Sequence, residues 1–202
     1  MTEPQGIDIS NAQGARWPWA AERGKIAFGM AKATEGLGFT DPDFAENWDA
    51  MWELSPTLCR FSYHFFHPSE DPRAQAQRFV ATVRAHGLLP GDNFVLDLET
   101  ADGMTPEFTA GSAVTFLRAV NELAPGHRVL VYTYPAFAEA GNCAGMESWH
   151  LWIADYGAER PAVPAPWTAW TFWQAGDSPV DTDLFSGTEA ELLAFCRMPK
   201  SR

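Results

Sequence analysis

Phe94-Val95-Leu96-Asp97-Leu98-Glu99 is an apolar, strand-like run that ends in two carboxylates one residue apart. Alternate side chains of a strand share a face, so Asp97 and Glu99 point one way and Leu98 the other, with the two Cα atoms roughly 6.6 Å apart. Carboxylates held that close disfavour each other's ionisation. Partial burial pushes the pKa up further, so one can keep its proton near neutral pH while its neighbour stays anionic. Hydrolysis of an acetal, such as a glycosidic bond, needs such a proton donor beside an anion. A strand that merely runs out into a polar loop gives the same D-x-E pattern, so the rest of the chain decides its meaning.

Outward from this run, apolar stretches recur as eight candidate strands: Gly6 to Ile9, Ile26 to Ala33, Leu58 to Phe65, Phe94 to Leu98, Val129 to Thr133, Leu151 to Ala154, Ala169 to Trp173 and Val180 to Leu184. Helical patterns separate the earlier ones. Thr40-Asp41-Pro42 opens the first, with Phe44, Trp48, Met51 and Trp52 at helical spacing. Asp71-Pro72 opens a second that ends before Gly87, and Thr105-Pro106 opens a third that stops at Pro125-Gly126. A final helix is expected over about residues 188–196. Pro161, Pro164 and Pro166 leave little room for a crossover helix before the seventh strand. Alternating strands and helices joined by right-handed crossovers give a parallel sheet, and eight strands can close it. The expected fold is an irregular TIM-like α/β barrel, (β/α)5(β)3, with eight strands and about five helices. In such barrels reactive groups gather at the C-terminal ends of strands. Asp8, His64, Asp97, Glu99, Tyr132, Asp155 and Asp181 all lie at or near strand ends.

The 202 residues suffice for one catalytic domain over 1–202, with its core at about residues 6–185. Apolar content of 46% and charged content of 20% are ordinary for a soluble globular protein, and no run approaches a membrane span. The opening Met1-Thr2-Glu3-Pro4-Gln5 lacks a basic start and an apolar segment, so no secretory leader is expected, and release from the cell would use another route. Three cysteines without ligand spacing read as free thiols. A net charge of −12 with no basic run excludes nucleic acid as a partner and predicts weak, salt-tolerant binding to anionic cell walls. His64 and His67 lack a third ligand at useful spacing, so neither a metal nor any other cofactor is expected.

Nine tryptophans are present. Indole serves a core or a sugar-stacking cleft equally well. Trp48 and Trp52, at i and i+4, read as core; Trp152 and Trp173, near strand ends, read as cleft residues.

Taken in order, Gly6-Ile7-Asp8-Ile9-Ser10, Ala31-Lys32-Ala33-Thr34-Glu35-Gly36, Tyr63-His64-Phe65-Phe66, Leu96-Asp97-Leu98-Glu99, Val131-Tyr132-Thr133, Leu151-Trp152-Ile153-Ala154, Trp173-Gln174 and Val180-Asp181 resemble glycoside hydrolase family 25, the muramidases of bacteria and phages. The resemblance implies an irregular barrel with five helices that cleaves the β-1,4 bond between N-acetylmuramic acid and N-acetylglucosamine, with peptidoglycan glycan strands as partner. It implies Glu99 as general acid and Asp97 as the carboxylate that orients the substrate's 2-acetamido group. Asp8 and Asp181 match further acids of the cleft, and Tyr63, Tyr132, Trp152 and Trp173 would line sugar subsites. Lys32 and Glu35 would support the barrel mouth. Asn11-Ala12 stands where relatives often carry an aromatic residue or His, which leaves that edge of the cleft open. A monomeric phage endolysin or bacterial lysozyme acting at the cell wall is the leading expectation. A sugar-binding module without catalysis and a glycosidase of chitin-like polymers are the alternatives.

Overall fold

The computed structural model describes residues 3–13, 17–54, 58–178 and 180–196; Met1 and Thr2, at the start of the stretch read for a leader, lie outside them. Eight strands close a barrel: β1 (Gln5–Ile9), β2 (Phe28–Glu35), β4 (Cys59–Phe65), β5 (Asn93–Asp97), β6 (Val129–Thr133), β7 (His150–Ala154), β8 (Phe172–Gly176) and β9 (Asp181–Phe185). A two-residue strand, β3 (Phe39–Thr40), folds back on the end of β2 as a hairpin. Neighbours are parallel from β1 through β2 and β4 to β8. The last strand, β9, runs antiparallel to both β8 and β1. An all-parallel sheet is the sequence expectation, and β9 departs from it because so few residues separate it from β8; a parallel return needs a crossover of a dozen or more.

The helices are α1 (Phe44–Leu54), α2 (Pro72–Ala85), α3 (Pro106–Leu123), the single turn α4 (Pro135–Phe137), which continues into a π-turn at Ala138–Asn142, and α5 (Glu189–Cys196). Asp71 caps α2 by accepting the Ala74 N–H at 2.8 Å, and Thr105 caps α3 by accepting that of Phe108 at 3.3 Å. In both, proline occupies the first turn, where its missing N–H costs nothing. Between β1 and β2 the described residues form only short 3-10 turns, at Asn11–Gln13 and Trp19–Glu22, with Pro18 preceding the second. No described helix is long and apolar enough to cross a membrane.

Two apolar layers result from the strand alternation. Outward residues such as Leu96 and Val131 pack beneath Phe79, Val83, Phe116 and Leu117 of α2 and α3. Inward residues fill the barrel around Phe172, whose ring lies 5.0 Å from Phe28 and 5.1 Å from Phe61 in edge-to-face contact. Gly6 is required here: a Cβ on it would lie 2.2 Å from the Phe28 ring. Helix α5 closes the end of the barrel where the parallel strands begin, adding Leu192 and Cys196 to the inner layer, with Phe195 against Phe172. The opposite end stays open. Cys59, Cys143 and Cys196 are buried free thiols.

Candidate active site

At the open end, β5 delivers the acid pair. The Leu98 N–H still donates to the Tyr132 carbonyl at 2.9 Å, so the extended alternation continues one step past Asp97 and carries Glu99 to the same side. Asp97 is buried, and its Oδ1 has no hydrogen-bond partner. Burial first, and then the charge of Glu99, holds its carboxyl well above the usual range, against the pull of Lys32. Glu99 is partly exposed; burial raises it too, and Lys32 again opposes the shift. Its elevation therefore comes from desolvation.

The second set of acids lies across the antiparallel seam. Because β9 is reversed, its first residue, Asp181, sits at the open mouth directly opposite Asp8, while Asp183 pairs with Gly6 one step deeper. Asp8 accepts the Gln174 Nε2–H at 2.6 Å. Gln174 Oε1 accepts the hydroxyls of Tyr132 and Tyr156, both at 2.7 Å, which fixes the amide so that its N–H faces Asp8. Asp183 is buried and accepts the Trp152 Nε1–H at 2.8 Å. Burial, joined by the charge of Asp181, pushes Asp8 up to about 8.

The third wall carries the cation. Residues three apart on a regular strand point to opposite faces, yet Lys32 Nζ and Glu35 Oε2 meet at 2.6 Å. The register of β2 against β4 slips between Lys32 and Thr34, and the extra residue, Ala33, restores both charged side chains to the inner face. Lys32 lies 5.0 Å from the centre of the Phe65 ring, and Phe65 is the lateral partner of Asp97. His67 extends the chain, reaching Glu35 at 3.4 Å and Asp102 at 3.1 Å.

A closed mixed barrel with carboxyls converging on one mouth narrows the ancestry, and comparison with known proteins settles it. The family model described as glycosyl hydrolases family 25 matches residues 7–184. The chain belongs to that family. Its relatives include YegX of Escherichia coli strain K12, 32% identical over 94% of this chain and 72% of its own length. Lysozyme M1 of Streptomyces globisporus is 30% identical over 95% of this chain and 70% of its own. The crystal structure of the bacterial lysozyme from Streptomyces coelicolor superposes with a TM-score of 0.86 at 26% identity, covering 98% of each chain.

As a family 25 glycoside hydrolase, the chain brings Asp8, Asp97, Glu99 and Asp181 to one mouth. Tyr63, Tyr132 and Trp152 lie beneath them as a buried aromatic floor, with the Tyr132 and Trp152 rings 4.4 Å apart. Trp173 does not join it. Phe172 and Gln174 face inward, so Trp173 between them packs outside, donating its Nε1–H to the Asp155 carbonyl at 2.9 Å. Two other strand-end residues also leave the mouth. His64 faces α2 and α3, stacked 5.0 Å from Phe116, and burial lowers its pKa to about 3. Asp155 accepts the Ala162 N–H at 2.8 Å and braces its own loop.

Trp52 departs from its core assignment: it is 54% exposed and lies 5.3 Å from the Arg60 guanidinium, while Trp48, one turn earlier, is buried and lies 4.1 Å from the same group. The edge left open at Asn11-Ala12 is built by a 3-10 turn. The Asn11 N–H donates to Asp41 at 2.9 Å, and Gln13 Nε2 reaches Asp181 at 3.2 Å. Gln174, Asp183 and Tyr156 were not singled out from the sequence. Gln174 had a signal, since it follows an inward Phe by two, whereas Asp8 and Asp183 come from the two ends of the barrel sequence and have no local signature.

Proposed function

We propose that this family 25 hydrolase is a lysozyme that cleaves the β-1,4 bond between N-acetylmuramic acid and N-acetylglucosamine in peptidoglycan, with Glu99 as general acid. The observation that carries the reading is the buried, unpartnered Oδ1 of Asp97 beside a half-open Glu99. A buried acceptor without a donor is costly, and an N–H arriving with the substrate would relieve it. The 2-acetamido group of an amino sugar supplies such an N–H.

Proton placement follows from the same geometry. Asp97 is buried and Glu99 half-exposed, so desolvation places the proton on Asp97 before substrate binds. A donor bound to Asp97 favours its ionised form, so the proton shared by the pair passes to Glu99, which faces the glycosidic oxygen. Glu99 then protonates that oxygen as the bond to the anomeric carbon breaks. The acetamido carbonyl oxygen closes on that carbon from the far face, and Asp97 stabilises the resulting cation. Water opens the ring, giving its proton back to Glu99 and retaining configuration. This substrate-assisted route needs no nucleophile from the protein, which suits two carboxyls approaching from one side. Positive charge at the anomeric carbon also draws Asp8 and Asp181 toward their ionised forms.

The lysozyme named among the relatives supports peptidoglycan as substrate and the bacterial cell wall as the place of action, whether the enzyme serves a phage or a bacterium. Clearing of purified peptidoglycan by the wild type and by Glu99→Gln tests the assignment, with a loss of about 10²- to 10⁴-fold expected for the variant. Equal clearing by both proteins, or none by either, overturns it. Mass spectrometry of the released fragments should show reducing N-acetylmuramic acid; reducing N-acetylglucosamine would move the enzyme to chitin-like polymers.

A further inference from the structure

We propose that His67 is a positioning residue, an imidazolium clamp whose two ring nitrogens bind Asp102 and Glu35 together and so fasten the loop that carries Glu99 to the strand that carries Lys32. Hydrogen-bond arithmetic sets its protonation. Nδ1 lies 3.1 Å from both carboxyl oxygens of Asp102, and Nε2 lies 3.4 Å from Oε1 of Glu35. The same carboxyls already accept from other donors: the Ser69 and Thr100 hydroxyls reach Asp102 at 3.0 and 3.1 Å, and Lys32 Nζ–H reaches Glu35 at 2.6 Å. Carboxyls surrounded by donors in this way are ionised and only accept, so each ring nitrogen of His67 carries a hydrogen. A neutral imidazole has a single N–H and would set a lone pair against one of the two.

The two ends of the clamp matter for different reasons. Asp102 stands three residues after Glu99 in the loop that leaves β5, with its backbone in the left-handed region at φ 50°. The Thr100 hydroxyl, next to Glu99, donates to the Asp102 carboxyl and accepts the Asp102 N–H at 3.2 Å, so holding Asp102 holds the chain just beyond the general acid. Glu35, at the end of β2, binds Lys32, whose charge acts on both Asp97 and Glu99. His67 itself is anchored from a third side: its N–H donates to Gln75 Oε1 at 3.1 Å and its carbonyl accepts the Gln75 Nε2–H at 2.8 Å. The charged and titratable groups facing the ring are Asp102 beyond β5, Glu35 and Lys32 on β2, His64 on β4 and Glu70 of its own loop; a Cβ on Gly36 would lie 2.7 Å from the Glu70 carboxyl and 3.0 Å from the His67 ring. Lys32 is already paired with Glu35, and His64 is kept neutral by burial, so three carboxylates decide the field at the imidazole. Burial alone would lower the pKa of His67; the hydrogen bonds to Asp102 and Glu35 outweigh it, and the net direction is upward.

The protonation of His67 can be read without substrate, whereas the positioning role rests on the lysozyme reading. In wild type, the ring ¹⁵N resonances of His67 should show both nitrogens protonated up to a midpoint above the ordinary 6.5, and Asp102→Asn should bring that midpoint down. A wild-type midpoint at or below 6.5 overturns the proposal. Peptidoglycan clearing then tests the positioning. His67→Gln, neutral and with one donor, should lose about 10-fold in rate as the loop beside Glu99 loosens. It should also move the limb of the pH profile set by Asp97 to higher pH, because the charge of Glu35, which raises Asp97, is then less compensated. His67→Arg keeps the charge and a donor for each carboxylate, and should recover most of the rate and return the limb to its wild-type position. A Gln variant that loses melting temperature alone, with rate and limb unchanged, defeats the idea, as does an Arg variant no better than the Gln one. If His67→Gln does not fold, the wild-type titration and the profile of His67→Arg decide. A wild type that leaves peptidoglycan intact counts against the lysozyme reading and leaves the titration result standing.

Discussion

The mouth holds two carboxyl pairs built on opposite plans. Asp97 and Glu99 come from one strand, face an opening, and have a cation nearby in Lys32. Asp8 and Asp183 come from two antiparallel strands, are both buried, and are tied by side-chain hydrogen bonds to Gln174 and Trp152. The first pair has an orphaned oxygen and one half-exposed member, the basis for the proposal that its proton moves when substrate binds. In the second, Asp8 is held by Gln174 and Oδ1 of Asp183 by Trp152, while Oδ2 of Asp183 is buried without a partner. What separates the pairs is exposure and charge: the first has a half-exposed member and Lys32 acting on both carboxyls, whereas the second is buried among acids.

The largest effect expected from attacking this contrast is at Asp97. Asp97→Asn keeps the shape but replaces an anionic acceptor with an amide, and should cut kcat by about 10²- to 10³-fold with little change in melting temperature. A loss confined to KM would show that Asp97 only binds. Gln174→Leu attacks the other pair: it strips one donor from Asp8 and leaves the Tyr132 and Tyr156 hydroxyls without their acceptor. It should cost about 10- to 100-fold in clearing, since each group left unpaired forfeits roughly 1–3 kcal/mol. If Gln174→Leu proves as damaging as Asp97→Asn, the division between the open pair and the buried pair fails.

The first pair was legible in the sequence and the second was not, for a physical reason. Asp97 and Glu99 are two apart on one strand, and the pleat alone decides that they share a face. The strand-helix alternation and the helix starts at Asp71-Pro72 and Thr105-Pro106 are equally local signals. Asp8 and Asp183 meet only because the barrel closes β1 against a reversed β9, and the reversal depends on how few residues link β8 to β9. Trp173 shows the limit of such local signals: lying near a strand end does not say which face a residue takes, and Phe172 and Gln174 on either side of it face the barrel, which sends the indole outward. The Ala33 bulge is hidden in the same way: strand parity separates Lys32 from Glu35, and only the slipped register reunites them.

Lys32 gives a smaller, graded test. Its charge lowers the pKa of both members of the first pair, while neither Asp8 nor Asp183 has it among its main influences. Lys32→Met should raise both limbs of the pH–activity profile, because both carboxyls then lose the cation that lowers them. A profile that keeps its limbs while falling in height would mean that the lysine binds substrate instead.

The smallest effect expected is on stability, and it belongs to the second pair. Asp8 has an ordinary value of 3.8 when unfolded and about 8 when folded, so between those limits the native state binds more protons than the unfolded chain. Stability from this group is then fully present below about pH 4 and is lost as pH rises toward about 8, the reverse of a salt-bridged aspartate. Glu35 and Asp102, both lowered in the native state by their hydrogen bonds and charges with Lys32 and His67, act in the opposite sense at acid pH. Their partial exposure screens that contribution. The melting temperature should therefore fall from about pH 5 to about pH 8, by roughly 2–4 °C for each kcal/mol lost in a chain of this size. Asp8→Asn should flatten the slope, because a neutral amide has no proton to lose, whereas Glu99→Gln, at a half-open position, should flatten it less. An equal flattening by both variants would mean that the buried pair and the open pair resist ionisation alike, and the contrast drawn between them would not hold.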